Sequence, residues 1–503
     1  MPYVIGCDLG SQSLKGVLLD GDGNAVAAGS SSYDMVFPRP GWAEQDPRVW
    51  WTALKEVISQ LLLASRVHPA DIRVIGFASQ VDGVVPVNQA GQPLRNAIIW
   101  MDRRSEAQCQ VLEKAAPRED IFRLTGLNLD SSHVAPKLLW IREHEPDVFR
   151  TARYFLLPGS YLVHRMTGTC VVDYSNASCT LIYDICNKIW SSFMLEYTGI
   201  DARTLGAITP ADQIAGHLTT EAARELGLLP STKVIVGCGD EHGACLGAGL
   251  VKPGIVCDIV GTAEPVAVAA QRLLYDSLRL VETHAHADPR WWLLENPGFV
   301  SGGSVRWFAD KFAHGSYHEV NASARRVDPG SEGVIFLPCL SGAMTPKWNG
   351  AAKGTFYGLT MKHGMDHMAR AVLEGCCFGF RDIMERFGEL GIARDDVRLV
   401  GGGANSQLWC QIKADVTGRS IRTLAHKEAT ARGAAMLAGV AAGTFPSLDD
   451  AANRLVSFQD IYEPNLAHRA AYDEAYGLYR ELYSSLEPVF SLNEARKGHD
   501  ADR

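Results

Sequence analysis

Tyr3-Val4-Ile5-Gly6-Cys7-Asp8-Leu9-Gly10-Ser11-Gln12-Ser13 runs from an apolar strand into a turn of small polar residues, with a carboxylate at the strand's end. Alternation and turn chemistry carry the pattern on: a second strand over Lys15 to Asp20, a hairpin turn at Asp22-Gly23, and a third strand over Asn24 to Gly29. This is a β-meander whose first turn is phosphate-sized, because backbone N–H groups from Gly10 to Ser13 can converge on an anion. Asp8 would repel that anion unless a divalent cation lay between them. Mg²⁺, which is held by one or two carboxylates, water and a nucleotide, meets the condition. Taken alone, a hairpin turn with a capping Asp explains the same residues.

Outward from this start, Asp46-Pro47 reads as an N-cap with proline at the first helical position, opening an amphipathic helix over Arg48 to Ala64. A short strand, Arg73 to Ala78, then delivers the turn Ser79-Gln80-Val81-Asp82-Gly83. From about 100 to 230 the pattern is mostly helical, a long insertion of the kind that shapes substrate pockets. Strands resume at Lys233 to Gly237, Gly254 to Ile259 and Glu264 to Ala269, and the last two repeat the strand, glycine turn, strand order of residues 3–20. That echo predicts a duplicated α/β fold. Beyond 365, two long helices bracket Val397-Arg398-Leu399-Val400-Gly401-Gly402-Gly403, and the charged end, Asn493 to Arg503, reads as a disordered tail.

Composition narrows the function classes. The 503 residues are 47% hydrophobic and 21% charged, enough for at least two domains. A net charge of −9 leaves no basic excess to displace counterions from nucleic acid or an anionic membrane, so neither is expected as a partner. The twelve cysteines show no CxxC pair and many sit in apolar runs, which reads as reduced core thiols. With no leader-like start and no run of about 18 uncharged apolar residues, a cytoplasmic protein is expected.

A second carboxylate stands in Gly237-Cys238-Gly239-Asp240-Glu241-His242-Gly243, where flanking glycines leave it open. A general base needs such access, and in phosphoryl transfer an aspartate takes the proton of the attacking alcohol. An Asp satisfying turn amides is the plainer alternative. Gly401-Gly402-Gly403-Ala404-Asn405, between a strand and the helix Gln407 to Val416, puts its amides at a helix N-terminus. Gly261-Thr262 offers another close backbone approach, with a hydroxyl. Neither GxGxxG nor GxxxxGK[ST] occurs, so Rossmann and Walker readings fall away. Thr283-His284-Ala285-His286 has a His-x-His spacing without an obvious third metal ligand, Ser79 lacks a nucleophile-elbow pattern, and Trp42, Trp50 and Trp51 read as core.

Three glycine turns and two acids in this order resemble the sugar kinase, heat-shock chaperone and actin superfamily, and finer motifs resemble the FGGY carbohydrate kinases. Gly354-Thr355-Phe356-Tyr357-Gly358-Leu359, with His367 to Glu374 after seven residues, fits one family signature at every defined position. Ser132-His133-Val134-Ala135-Pro136-Lys137-Leu138-Leu139-Trp140 fits the other except at Val134. Within that family the chain resembles the xylulose kinases, with similar runs at Trp42 to Pro47, Ala97 to Trp100, Pro136 to His144 and Leu337 to Gly342. The resemblance covers residues 3 to about 440. It implies two actin-like, ribonuclease-H-like domains around a deep cleft, expected over 1–248 and 249–490 with the tail at 491–503, the first holding the sugar and the second ATP.

It further implies Asp240 as catalytic base and Asp8 with Asp240 on the Mg²⁺ side. Ser11, Gln12 and Ser13 would form the phosphate loop, and Gly261, Thr262, Gly302, Gly402, Gly403 and Asn405 the nucleotide wall. Gln80, Val81, Asp82, Trp100, Asp102, Asp240 and Glu241 would meet the sugar. Two departures bear on substrate: xylulose kinases typically have Gln-Met-His-Gly where this chain has Gln80-Val81-Asp82-Gly83, and Asp-Asn where it has Asp240-Glu241. Ionised carboxylates only accept hydrogen bonds, so the pair is expected to favour hydroxyl donors over acidic or phosphorylated sugars. The expected activity is phosphorylation of a primary hydroxyl of a ketopentose, with another neutral ketose or a tetritol or pentitol as alternatives. A non-catalytic nucleotide-binding regulator of the same fold and a plain ATPase stand as rivals. A homodimer is the expected assembly.

Overall fold

A computed structural model describes residues 2–345 and 347–492; the tail expected at 491–503 lies outside the described residues from 493 onward. Two seven-stranded sheets organise the chain. In the first, the strand Tyr3–Leu9 pairs antiparallel with Ser13–Leu19, which pairs antiparallel with Ala25–Ser32. On its other side Tyr3–Leu9 runs parallel to Ile72–Ser79. The second sheet repeats the plan: Gly254–Val260 is antiparallel to Val266–Ala270 and parallel to Arg394–Gly401. Both first strands have seven residues and the same alternation of buried and half-buried positions. The echo read between 254–269 and 3–20 is thus a repeat of topology.

The helix Pro47–Ser65 shows how local sequence builds this frame. Asp46 caps it by accepting from Arg48 N, proline occupies its first turn, and Arg66 ends it in a left-handed conformation. Its buried residues, Trp50, Leu54, Val57, Ile58 and Leu61, recur at three- and four-residue spacing, so one face packs on the meander. The backbone N–H of Ser30 donates to Gln60 Oε1 at 2.9 Å, fixing that contact. Trp50 and Trp51 are core here. The insertion carries its own core, Leu112, Ile121, Leu138, Ile141 and Leu181 among it, with the helix Val134–His144 packed inside it.

One helix joins the halves. Ala429–Ala441 belongs to the later part of the chain, yet Ala431, Ala434, Ala435 and Ala438 pack with Val4, Val74 and Ala78 on the first sheet. Gly433 makes this possible, because a Cβ there would meet Gly243 O at 1.9 Å. The helix Asp240–Gly247 therefore rests backbone to backbone on Ala429–Ala441. Lys15 and Glu428 add an ion pair at 3.1 Å across the junction. All twelve cysteines are unpaired, ten of them buried. Among the described residues no helix is long and apolar enough to cross a membrane.

Candidate active site

Two cavities flank the turn between Gly254–Val260 and Val266–Ala270. A cleft of about 510 Å³ is lined by Asp8, Ser11, Val81, Asp82, Trp100, Asp240 and Glu241 of the first half, and by Ile259, Pro265, His284, Glu295 and Trp348 of the second. A separate cavity of about 690 Å³ is lined by Gly261, Thr262, Gly302, Gly402, Gly403 and Asn405, together with Tyr317, Asn321, Arg325 and Trp409. All six residues expected on the nucleotide wall thus line one cavity. The cleft draws its walls from both halves, not from the first alone.

At Gly302, one of the glycines lining the larger cavity, the close approach is to backbone. A Cβ on Gly302 would lie 2.1 Å from Gly261 O, so only glycine lets the helix Gly302–Phe312 start against that turn. Ser406 caps the helix Gln407–Thr417 by accepting from Trp409 N. Two helix N-termini therefore border this cavity, each with free N–H groups and a positive dipole end suited to phosphate.

The turn Gly10 to Ser13 is braced from behind. Gln45 Nε2 donates to Ser11 O at 2.5 Å, the Tyr33 hydroxyl to Gly10 O at 2.6 Å, and Tyr33 N to Gln12 O at 3.1 Å. With its carbonyls engaged, the turn keeps the amides of Ser11 and Gln12 without a protein acceptor among the described residues. Ser11 lines the cleft, whereas Gln12 is exposed and Ser13 begins the next strand.

Two residues expected at the sugar do not line the cleft. Gln80 is buried; its Nε2 donates to Gln45 Oε1 at 2.9 Å and Gly10 O at 3.4 Å, so it braces the turn instead. Asp102 is fully buried, accepting from Ala43 N at 2.6 Å and pairing with Arg104 at 2.7 Å. Its oxygens are spent on folding the loop that presents Trp100 and Arg103. In both cases chain proximity to the site did not set the side-chain direction.

Asp240 opens the helix Asp240–Gly247. Burial pushes its carboxyl up to about 7, against the pull of the Glu241 N–H, with Glu295 and Asp82 adding to the rise. Burial, then the charge of Asp240, lift the Asp8 carboxyl to about 7 as well, Lys15 opposing. Neither acid makes an ion pair among the described residues. Two carboxylates that repel each other, neither in direct contact with a cationic side chain among the described residues, fit a divalent ion. Among the described residues no cluster of three or more His, Cys, Asp or Glu side chains could hold a metal. An ion here would complete its shell from phosphate and water, as Mg²⁺ does.

The two departures at 82 and 241 read differently in the structure than as free acids. Asp82, at φ +60°, places Oδ2 3.1 Å from His133 Nδ1. Burial works against a charged imidazole, but Asp82 overcomes it and raises His133 to about 9, making the pair an ion pair. Buried Lys137 fastens the loop by donating to Asp82 O at 2.6 Å and to Ser132 O. Burial, then the neighbouring Glu295 carboxyl, push the Glu241 carboxyl well above its ordinary value. His284 Nε2 lies 3.1 Å from Glu295 Oε2. Asp82 Oδ1 and Glu241 Oε1 remain buried without hydrogen-bond partners among the described residues.

His133 and Lys137 stood within a quoted signature without a role, and period two along Glu282–Ala285 explains why Glu282 and His284 share the cleft face. His286 lies past that strand's end, where its Nδ1 accepts from Asp288 N at 2.9 Å. Glu295 had no sequence signal, since its neighbours come through strand pairing with Glu282–Ala285.

Comparison with known proteins agrees with this geometry. Residues 3–247 match the N-terminal domain of the FGGY family of carbohydrate kinases, and 258–442 match its C-terminal domain. A xylulose kinase of Escherichia coli (strain K12) is 33% identical over 488 residues, 97% of this chain and 100% of that one. The crystal structure of ligand-bound xylulose kinase from Lactobacillus acidophilus superposes with a TM-score of 0.90 at 27% identity, covering 98% of this chain and 99% of the other. A gluconate kinase from the same organism also reaches 0.90 at 27% identity, covering 96% and 98%. Neighbours with different named substrates share the two-domain α/β fold, so fold alone does not choose the sugar. The chain belongs to the FGGY family of carbohydrate kinases.

Proposed function

We propose that the protein transfers the γ-phosphoryl group of ATP to a primary hydroxyl of a small neutral sugar, a ketopentose first among candidates, with Asp240 as general base. The observation that carries the substrate class is the pairing of the cleft's cations. Arg103 is bonded to Asp130 and His133 to Asp82, and His284 Nε2 lies 3.1 Å from the Glu295 carboxylate. Burial keeps His242 neutral. A sugar acid would meet no unpaired positive charge among these residues, whereas the unpartnered Asp82 Oδ1 and Glu241 Oε1 offer themselves to hydroxyl groups. That argues against a gluconate-like substrate and for a polyhydroxylated neutral one.

Asp240 would accept the proton of the attacking hydroxyl, and a carboxyl near 7 matches that task at neutral pH. The amides of Ser11 and Gln12 and the helix starts at Gly302 and Gln407 would orient the phosphates. Asp8 and Asp240 would hold Mg²⁺, which when bound neutralises phosphate charge. Walls drawn from both halves exclude water as a competing acceptor once they close on the sugar. The test is Asp240→Asn, expected to keep nucleotide binding and lose turnover by about 10²–10⁴. Near-normal turnover would remove Asp240 from the role.

A further inference from the structure

The turn dividing the two cavities is fastened from inside the protein. Val260, Gly261 and Thr262 face the larger cavity, while Ile259, Ala263 and Pro265 face the cleft. Asp258 precedes this turn and Glu264 follows it. Lys413, on the helix Gln407–Thr417, reaches both: its Nζ donates to Asp258 Oδ2 and, at 2.8 Å, to Glu264 Oε1. The side chains of Lys413, Asp258 and Glu264 are 1%, 0% and 0% exposed. The Phe380 ring lies 4.4 Å from the ammonium.

Stability is a poor explanation for such a group, because desolvating buried ions offsets much of their attraction and apolar replacement is often neutral or better. Two carboxylates face one ammonium, and among the described residues no donor group reaches Asp258 Oδ1 or Glu264 Oε2. Burial pushes the Asp258 carboxyl up to about 7 despite Lys413. The group's location points to geometry: Ile259 N donates to Pro265 O at 3.0 Å and Gly261 N to Ala263 O at 2.9 Å, closing a tight hairpin. Thr262 O accepts from Gly303 N at 3.0 Å, so the start of the helix Gly302–Phe312 moves with the turn.

We propose that Lys413 is a positioning residue for phosphoryl transfer: by bonding Asp258 before the turn and Glu264 after it, it fixes Gly261 and Thr262 between the two substrates. This role rests on the larger cavity being the nucleotide site. Loosening the clamp shifts the turn and the helix start together, and a misplacement of about 1 Å costs roughly 10²-fold in rate.

Lys413→Met and Glu264→Leu are to be compared with wild type for kcat, KM for ATP, KM for the best sugar, mant-ADP binding and thermal melting. Glu264→Leu removes the bond at 264 and keeps one acid and one ammonium, so it is charge-balanced and decides the matter even where Lys413→Met fails to fold. The expected result is a fall of about 10- to 100-fold in kcat/KM for ATP, with KM for the sugar within about threefold. A merely structural cluster would lower the melting temperature and leave the kinetic constants of the folded variants at wild-type values, which overturns the positioning role alone. A wild type that binds no mant-ADP refutes the nucleotide reading of the cavity and overturns both.

Discussion

Tyr3–Leu9 and Gly254–Val260 hold the same place in their sheets, yet they put acid in opposite surroundings. Position six of each strand faces the cleft, and there the first strand has Asp8 and the second Ile259. Position five faces the interior, and there the first has Cys7 and the second Asp258. One strand thus turns its carboxylate to the cleft and the other buries it against Lys413. A repeated architecture does not repeat its chemistry. A one-residue offset along a strand, which reverses the face, separates an acid that lines the cleft from one bonded to Lys413 behind a turn.

Asp8→Asn breaks the contrast most sharply. Turnover should fall by on the order of 10², the scale of losing one preorganised charge contact, while the melting temperature rises. The sign follows from linkage: Asp8 titrates near 7 in the fold against 3.8 unfolded, so its ionised form costs stability above pH 7 and that cost fades toward pH 4. Melting measured at pH 8 and pH 5 checks it; a gain that is larger at pH 5 contradicts the account.

Acidity itself gives the next effect. Asp240 must be unprotonated to accept a proton, so kcat/KM for the sugar should drop about tenfold per unit below a midpoint near 7. Asp8 and Asp240 titrate close together, so the midpoint belongs to the pair. A profile flat to pH 5.5 would place the base elsewhere. The smallest effect is expected from Asp82→His, which removes the ion pair to His133 at a left-handed position that His tolerates. KM values should move by about three- to tenfold and the ranking of sugars should change. An unchanged ranking means that Asp82 selects nothing.

Local signals carried much of this structure. The strand Tyr3–Leu9 is bounded as its alternation predicts, and Asp46-Pro47 caps the helix Pro47–Ser65. The glycine turns at Gly261 and at Gly402 and Gly403 come together in one cavity because each follows a strand of the same sheet. What escaped sequence reading depends on partners far along the chain. Asp258 and Lys413 are 155 residues apart, and His133 meets Asp82 from the inserted helices. Gln80 and Asp102 were drawn to the sugar by their neighbours, but hydrogen bonds to Gln45, Ala43 and Arg104 turn them away.

The most direct measurement is ADP release by the wild-type protein with Mg-ATP, alone and with ketopentoses, ketohexoses, tetritols, pentitols and aldonates. Strong stimulation by a neutral sugar or polyol, a ketopentose above the rest, with aldonates inert, is the predicted result. Stimulation confined to aldonates, or ADP release indifferent to every sugar, would contradict it.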